Sequence, residues 1–267
     1  MSARDLLWWQ DRTSAGIAEL AARDAVALLP LSAIEQHGPH LPLDTDYRIG
    51  LGLLQAACKT LPEDLPRVVL PPVAVATSHE HTDFSGTLTL RPETALALLR
   101  DLGESVARSG LRRLLIVNSH GGNTAICDLA ALELRRAHSM LVVKHHYFTQ
   151  PPSSEFGIPA EELRHGLHGG LIETALMRFL APETVHMDAA ADAPSLGATL
   201  AETMEVLEPE GRASFAWMAQ DLNHSGVVGD ARAATADLGE RLVAHYAGIL
   251  AAAIRDTARF DLAQLRA

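Results

Sequence analysis

The chain has 267 residues, 48% apolar and 21% charged, which is ordinary globular usage and excludes the disordered and fibrous classes. Lys and Arg number 22 against 33 Asp and Glu, so the net charge of −11 opposes a nucleic-acid partner. No window nears the roughly 20 apolar residues of a bilayer span, and the first nine positions lack a secretory pattern. A cytoplasmic protein without a membrane partner is therefore expected, and its two cysteines, Cys58 and Cys127, are expected to be buried free thiols.

Residues 25–31 form a continuous apolar run, as expected of a strand buried on both faces of a parallel sheet. A loop with Pro and Gly follows over 38–46, then helical spacing over 47–58, which Asp44, Thr45 or Asp46 can cap. Residues 67–70 and 73–76 read as extended on either side of Pro71 and Pro72, and 93–109 reads as a helix ended by Gly110. The clearest buried strand is 113–118; it runs into Ser119-His120-Gly121-Gly122-Asn123 and a helix over 124–137. A strand over 140–146 precedes a Pro/Ser-rich loop, 149–159, expected as a lid or an oligomer contact. Helices are expected over 169–180 and 231–258, with a loop-rich region between. No repeat or linker divides the chain, so one domain is expected, of the α/β class, with a mostly parallel sheet covered by helices on both faces.

Thirteen histidines, several in close pairs, raise a metal hypothesis. Glu35 and His37 are two residues apart, so an extended backbone points both to one side. Asp46, beyond the loop, adds a carboxylate able to bridge two ions, and His120 arrives from the neighbouring strand end, where α/β sheets place ligands. Such mixed carboxylate and imidazole ligation suits zinc, manganese or iron. Gly121 and Gly122 allow backbone N–H groups to face a substrate oxyanion at a helix start, and they match no phosphate-binding pattern. Ser78 and its neighbours His79, Glu80 and His81 are expected to position substrate rather than bind metal. His165, His168 and Glu173 form a second polar group, in which His168 and Glu173 share a face only if the chain bends at Gly169 and Gly170. Asp221, His224 and Asp230 read as a structured loop.

These stretches resemble the creatininase (creatinine amidohydrolase) family. The resemblance is carried by residues 29–46 (LPLSAIEQHGPHLPLDTD), 81–90 (HTDFSGTLTL), 117–123 (VNSHGGN), 168–177 (HGGLIETALM) and 225–240 (SGVVGDARAATADLGE). It implies a three-layer α/β/α sandwich, a homo-oligomer that is often hexameric, and one or two divalent ions per chain that hydrolyse a C–N bond. By that resemblance Glu35 and His120 bind one ion, His37 the other, and Asp46 bridges them. His168 matches the catalytic histidine, and Glu173 matches a nearby glutamate acting as ligand, base or support. Two departures stand out. Creatininases place a metal-binding glutamate where this chain has Gly122, and a tryptophan that packs on creatinine where it has Arg164. The family also includes formamidopyrimidine nucleotide deformylases and a peptidase of the mycofactocin precursor, which have glycine at the first of these positions.

The expected reaction is attack of metal-activated water on a small, sometimes cyclic, amide. The ions and the Gly121 and Gly122 amides stabilise the oxyanion while His168 protonates the leaving nitrogen. The rival readings are a formamide deformylase or precursor-type peptidase, a metal-assisted lyase or isomerase, and a non-catalytic metal-binding protein.

Overall fold

Two wholly buried strands form the middle of the central sheet of the computed structural model, which describes residues 6–266. Strand β1 (Val26–Leu31) lies between β2 (Arg67–Val69) and β3 (Arg113–Asn118), with β4 (Leu141–His146) beyond β3. All pairs are parallel, with Val26 opposite Arg67 and Arg113, and Arg113 opposite Leu141. Every residue of β1 and β3 is buried. A strand alternates its side chains, so Ala27, Leu29, Leu31, Leu114 and Ile116 feed one core layer while Val26, Leu28, Leu115 and Val117 feed the other.

The first layer is closed by α1 (Ser14–Ala22), α3 (Pro92–Arg108) and α4 (Thr124–His138), through Ile17, Leu99, Val106, Ile126 and Leu134. The other is closed by α2 (Thr45–Lys59) and the long C-terminal α9 (Ala236–Arg259), through Leu54, Ala57, Leu250 and Ile254. Between α2 and α9 sits α6 (Leu171–Leu180), with Ile49, Leu53, Leu176 and Leu242 in a third apolar cluster. Short helices α5 (Ala160–His165), α7 (Leu196–Thr203) and α8 (Ala219–Leu222) complete the chain. This is the three-layer α/β/α sandwich expected from the sequence. Cys58 and Cys127 are free and buried, and no helix among the described residues is long and apolar enough to cross a membrane.

Several elements differ from the sequence expectation. Helices α1, α5, α7 and α8 are additional, and α9 starts at Ala236 because Thr235 caps it, accepting from the Leu238 N–H. Asp44 does not cap α2 with its side chain; it pairs instead with Arg48 at 2.8 Å. Residues 73–76 form no strand: Val73 makes a single bridge to Leu31. The reason lies in proline. The amides of Val26 and Ser32 point to the β2 side, donating to Pro66 and Val73. Pro30, between them, has no N–H to offer, and it stands where Pro71 and Pro72 turn the neighbouring chain aside. On the outer side of β2, Trp8 bridges Val69. The loop over 149–159 is fastened to α9: Arg241 donates to the Glu155 carbonyl at 2.7 Å and lies over the Phe156 ring.

The start of α6 is capped from another element. Its N-cap is Gly170, which has no side chain, and the buried Glu162 of α5 accepts instead from the Leu171 N–H at 2.8 Å. Its second oxygen accepts from Asp230 N–H at 2.9 Å. Glu162→Ala strands two N–H groups, each costing about 1–3 kcal/mol if unmade. A fall of at least about 2 kcal/mol in unfolding free energy, read from urea denaturation at unchanged slope, is the expected result.

Candidate metal centre

Four chain segments converge at the carboxyl ends of β1 and β3. The segment after β1 carries Glu35 and His37, with the Glu35 N–H bonded to the Leu43 carbonyl. Asp46 sits in the first turn of α2, and the Ser119 hydroxyl donates to its backbone carbonyl at 2.8 Å, tying that turn to the end of β3. His120 follows β3 and is held by Asn118, whose amide donates to the His120 carbonyl at 2.7 Å and whose oxygen accepts from its N–H at 3.2 Å. Gly169, at φ +63°, turns the chain into α6 so that His168 and Glu173 both face the centre. That is the bend the spacing required.

The donor atoms are close and deeply buried. Glu35 and His37 are fully inaccessible, and Asp46 and His120 nearly so. His120 Nδ1 lies 3.2 Å from Glu35 Oε1 and 3.1 Å from Asp46 Oδ2. His37 Nε2 lies 3.4 Å from Asp46 Oδ1 and 3.9 Å from Glu173 Oε2. Glu35 Oε1, His37 Nε2, Asp46 Oδ2 and His120 Nε2 are buried without a hydrogen-bond partner, an arrangement that costs several kcal/mol in the aggregate unless charge partners or a cation satisfy it. Among the described residues, two of the three donor triads within 4.8 Å include His37, with Glu35 and His168 or with Asp46 and Glu173; the third joins Glu35, Glu80 and His120. Mixed oxygen and nitrogen donors of this kind fit a divalent transition ion.

Electrostatics agree with that reading. Burial works against charge on His37, but Asp46, with Glu173 and Glu35 behind it, outweighs burial and raises its pKa to about 9. His120 is likewise raised despite burial, by Glu35 and Asp46. Burial opposes the Asp46 charge, yet His37 and His120 hold its pKa below the usual carboxylate range. In the metal-free protein, then, protons on two histidines supply the positive charge the carboxylates require, and a divalent ion replaces them. Metal affinity should therefore climb about tenfold per pH unit for each displaced proton, up to the His37 value of about 9. The metal-free fold moves the opposite way. Its stabilisation by His37 is complete below the unfolded value of 6.5 and is lost as the pH rises through about 9. Thermal unfolding of the metal-free protein is expected at lower temperature at the alkaline end of that window; an invariant midpoint would contradict the assignment.

His168 is poised differently. Its Nε2 donates to the Gln36 carbonyl at 2.7 Å, which leaves Nδ1 unprotonated and 3.7 Å from Glu35 Oε1. Burial, and then His37, lower its pKa, so the ring is neutral. Glu173 Oε2 accepts from the Gly169 N–H at 2.6 Å and faces His37, which makes it a support for the turn as well as a candidate donor. Ser78, expected at the substrate, is wholly buried and donates its hydroxyl to Glu35 Oε2 at 2.5 Å, so in this structure it steadies a candidate donor. Gly121 and Gly122 lie in the 3₁₀ turn Gly121–Asn123 ahead of α4. Asp221 and Asp230 serve their own loops, accepting from Met218 N–H and from Arg232.

Two residues at the centre escaped assignment as metal-associated. His81 Nδ1 accepts from the Gln36 amide at 2.8 Å, which turns Nε2 toward Glu35 Oε1 at 3.5 Å. Glu80 Oε1 lies 3.2 Å from His120 Nε2. The signal that they stand with the candidate donors was present only as a Glu–His pair close to Ser78, in a stretch without periodicity.

Buried carboxylates and imidazoles with unpartnered donor atoms, at the strand ends of an α/β/α sandwich, define the class of proteins with a candidate divalent-metal site. The creatininase family model, described as creatinine amidohydrolase, matches residues 10–254. The chain belongs to the creatininase family. It is 32% identical over 222 residues to a mycofactocin precursor peptide peptidase of Mycolicibacterium smegmatis, covering 82% of this chain and 80% of that one. It is also 32% identical over 192 residues to a creatinine amidohydrolase of Pseudomonas putida, covering 66% and 72%. A crystal structure of creatinine amidohydrolase superposes with a TM-score of 0.77 at 26% identity, covering 96% of this chain and 99% of the other. Solved creatininases include manganese and zinc forms. The protein is thus a creatininase-family, metal-dependent amidohydrolase.

Proposed function

We propose that Glu35, His37, Asp46 and His120 hold one or two divalent ions, zinc, manganese or iron, and that the chain uses them to hydrolyse the C–N bond of a small amide. The observation that carries this reading is the set of buried, unpartnered donor atoms on Glu35, His37 and Asp46. A divalent ion there supplies Lewis acidity, polarising the amide carbonyl and acidifying water. Neutral His168 accepts the water's proton at Nδ1 and returns it to the departing nitrogen. Its hydrogen bond to the Gln36 carbonyl keeps the ring in the one tautomer that can do so. The Gly121 and Gly122 amides donate to the carbonyl oxygen as it gains charge. Glu173 steadies His37 and the turn that presents His168.

Arg164 favours an open-chain amide over creatinine. The side chain is 58% exposed and reaches Glu208 at 3.2 Å, so it offers no aromatic face to a flat ring. A short peptide is the substrate class most in keeping with the similarity to the mycofactocin precursor peptidases. Leu129 and Leu132, 51% and 68% exposed on α4, support a homo-oligomer. We read the chain as one cytoplasmic domain acting on a small molecule.

The test is turnover by metal-reconstituted protein of short peptides, N-formyl amines and cyclic amides including creatinine, with products identified by mass. Hydrolysis adds water to the substrate, whereas a lyase or isomerase does not. No product from any member of the panel at full metal content would overturn the reading.

A further inference from the structure

The 3₁₀ turn His79–His81 brings Glu80 to the Nε2 edge of the His120 ring. The two nitrogens of an imidazole point in divergent directions. In His120, Nδ1 faces Glu35 and Asp46, while Nε2, buried and without a hydrogen bond of its own, has Glu80 Oε1 at an ion-pair distance of 3.2 Å. Glu80 is mostly buried, its side chain 18% exposed. Its contact depends on the residue at position 122. A Cβ there would stand 2.4 Å from Glu80 Oε1, 2.5 Å from His120 Nε2 and 3.0 Å from the Thr77 carbonyl. Gly122 does not adopt a left-handed backbone, so glycine is required here by space alone. What reads in the sequence as a missing ligand is, in the structure, the opening through which a different carboxylate reaches His120.

We propose that Glu80 is a positioning residue for the metal centre: its carboxylate, facing Nε2–H of His120, fixes the ring so that Nδ1 presents its lone pair between Glu35 and Asp46. Ligating histidines commonly give their second N–H to a carboxylate, which sets the tautomer and strengthens the donor. Glu80 acts through His120; its carboxylate also stands within 4.8 Å of donor atoms on Glu35 and His120, so direct ligation is the outcome the test has to separate. The inference rests on the metal-binding reading above and adds a residue to it.

Cobalt(II) binding to the full chain tests it, followed by titration calorimetry and by visible absorption of the bound ion. Metal-free thermal unfolding of each variant serves as the control for folding. Glu80→Ala is expected to weaken binding about 10- to 100-fold while reaching wild-type stoichiometry at saturation. Glu80→Gln, which keeps an oxygen facing Nε2, is expected to recover part of the loss and retain the wild-type cobalt spectrum. Should Glu80→Ala fail to fold, Glu80→Gln against wild type decides the matter through the affinity alone. Wild-type affinity in the variants overturns the proposal. So does loss of a stoichiometric ion at saturating cobalt, which would make Glu80 a ligand. A wild-type protein that binds no cobalt instead refutes the metal centre itself, so the two failures are distinct.

Discussion

Asp46→Asn is expected to lower metal affinity by more than about a hundredfold, since loss of even an outer carboxylate costs 10- to 100-fold, and amide hydrolysis should disappear with it. Asp46 stands nearer to the two histidines than Glu35 does, at 3.4 Å from His37 and 3.1 Å from His120 against 3.9 and 3.2 Å. The asparagine is nearly the same size, so packing around the first turn of α2 survives. It supplies no charge, however, and one of its two oxygens becomes an NH₂ that faces His37 or His120. The same change removes the largest influence raising the His37 pKa, which should then fall from about 9. Metal titration, the activity panel and the pH dependence of metal-free unfolding all report on this one substitution. Wild-type metal content together with wild-type turnover would exclude Asp46 from the centre.

His168→Asn should separate metal binding from catalysis. Because His168 acts on protons, its replacement is expected to lower kcat by about 10² to 10⁴ while the ion content stays unchanged. Asparagine preserves a donor for the Gln36 carbonyl, which in the wild type anchors Nε2 at 2.7 Å. It has no basic nitrogen to put in place of Nδ1. With the histidine pKa held below 6.5 by burial and by His37, the acid limb of the wild-type pH–rate profile is expected below that value. It should be missing from whatever activity the variant retains. A variant that loses metal and activity together would place His168 among the ligands instead, consistent with its membership of the triad with Glu35 and His37.

The parts of this molecule that follow from short-range pattern were legible in the sequence. Residues 25–31 and 114–117 are uninterrupted apolar runs because both faces of their strands are covered, and each run leads into a segment with candidate donors. The sequence alone therefore places Glu35, His37, Asp46 and His120 at one edge of a sheet. The stretch over 73–90 was opaque for a physical reason. It leaves the sheet at Pro71 and Pro72 and is held by isolated bridges, Val73 to Leu31 and Leu88 to Ile34. Such a segment has no period of 2 or 3.6 from which to infer where Ser78, Glu80 and His81 point. Glu162 was invisible for a similar reason: its partners are the backbone N–H groups of Leu171 and Asp230, far along the chain. Gly122 was visible as a departure but not as a cause, because nothing in a sequence says which side chain enters the space a glycine leaves.

The prolines beside β2 also bear on how such a sheet survives its own assembly. Parallel sheets form late, through contacts distant in sequence, and their apolar edges are open to other chains while they do. Here the edge strand is three residues long, flanked by Pro66 at one end and by Pro71 and Pro72 beyond Leu70 at the other. Its outer side is met by Trp8, with the Val69 N–H bonded to the Leu7 carbonyl at 2.9 Å. A stray strand arriving at β2 would find few free amides to pair with, so the rings that end the sheet also guard it against aggregation.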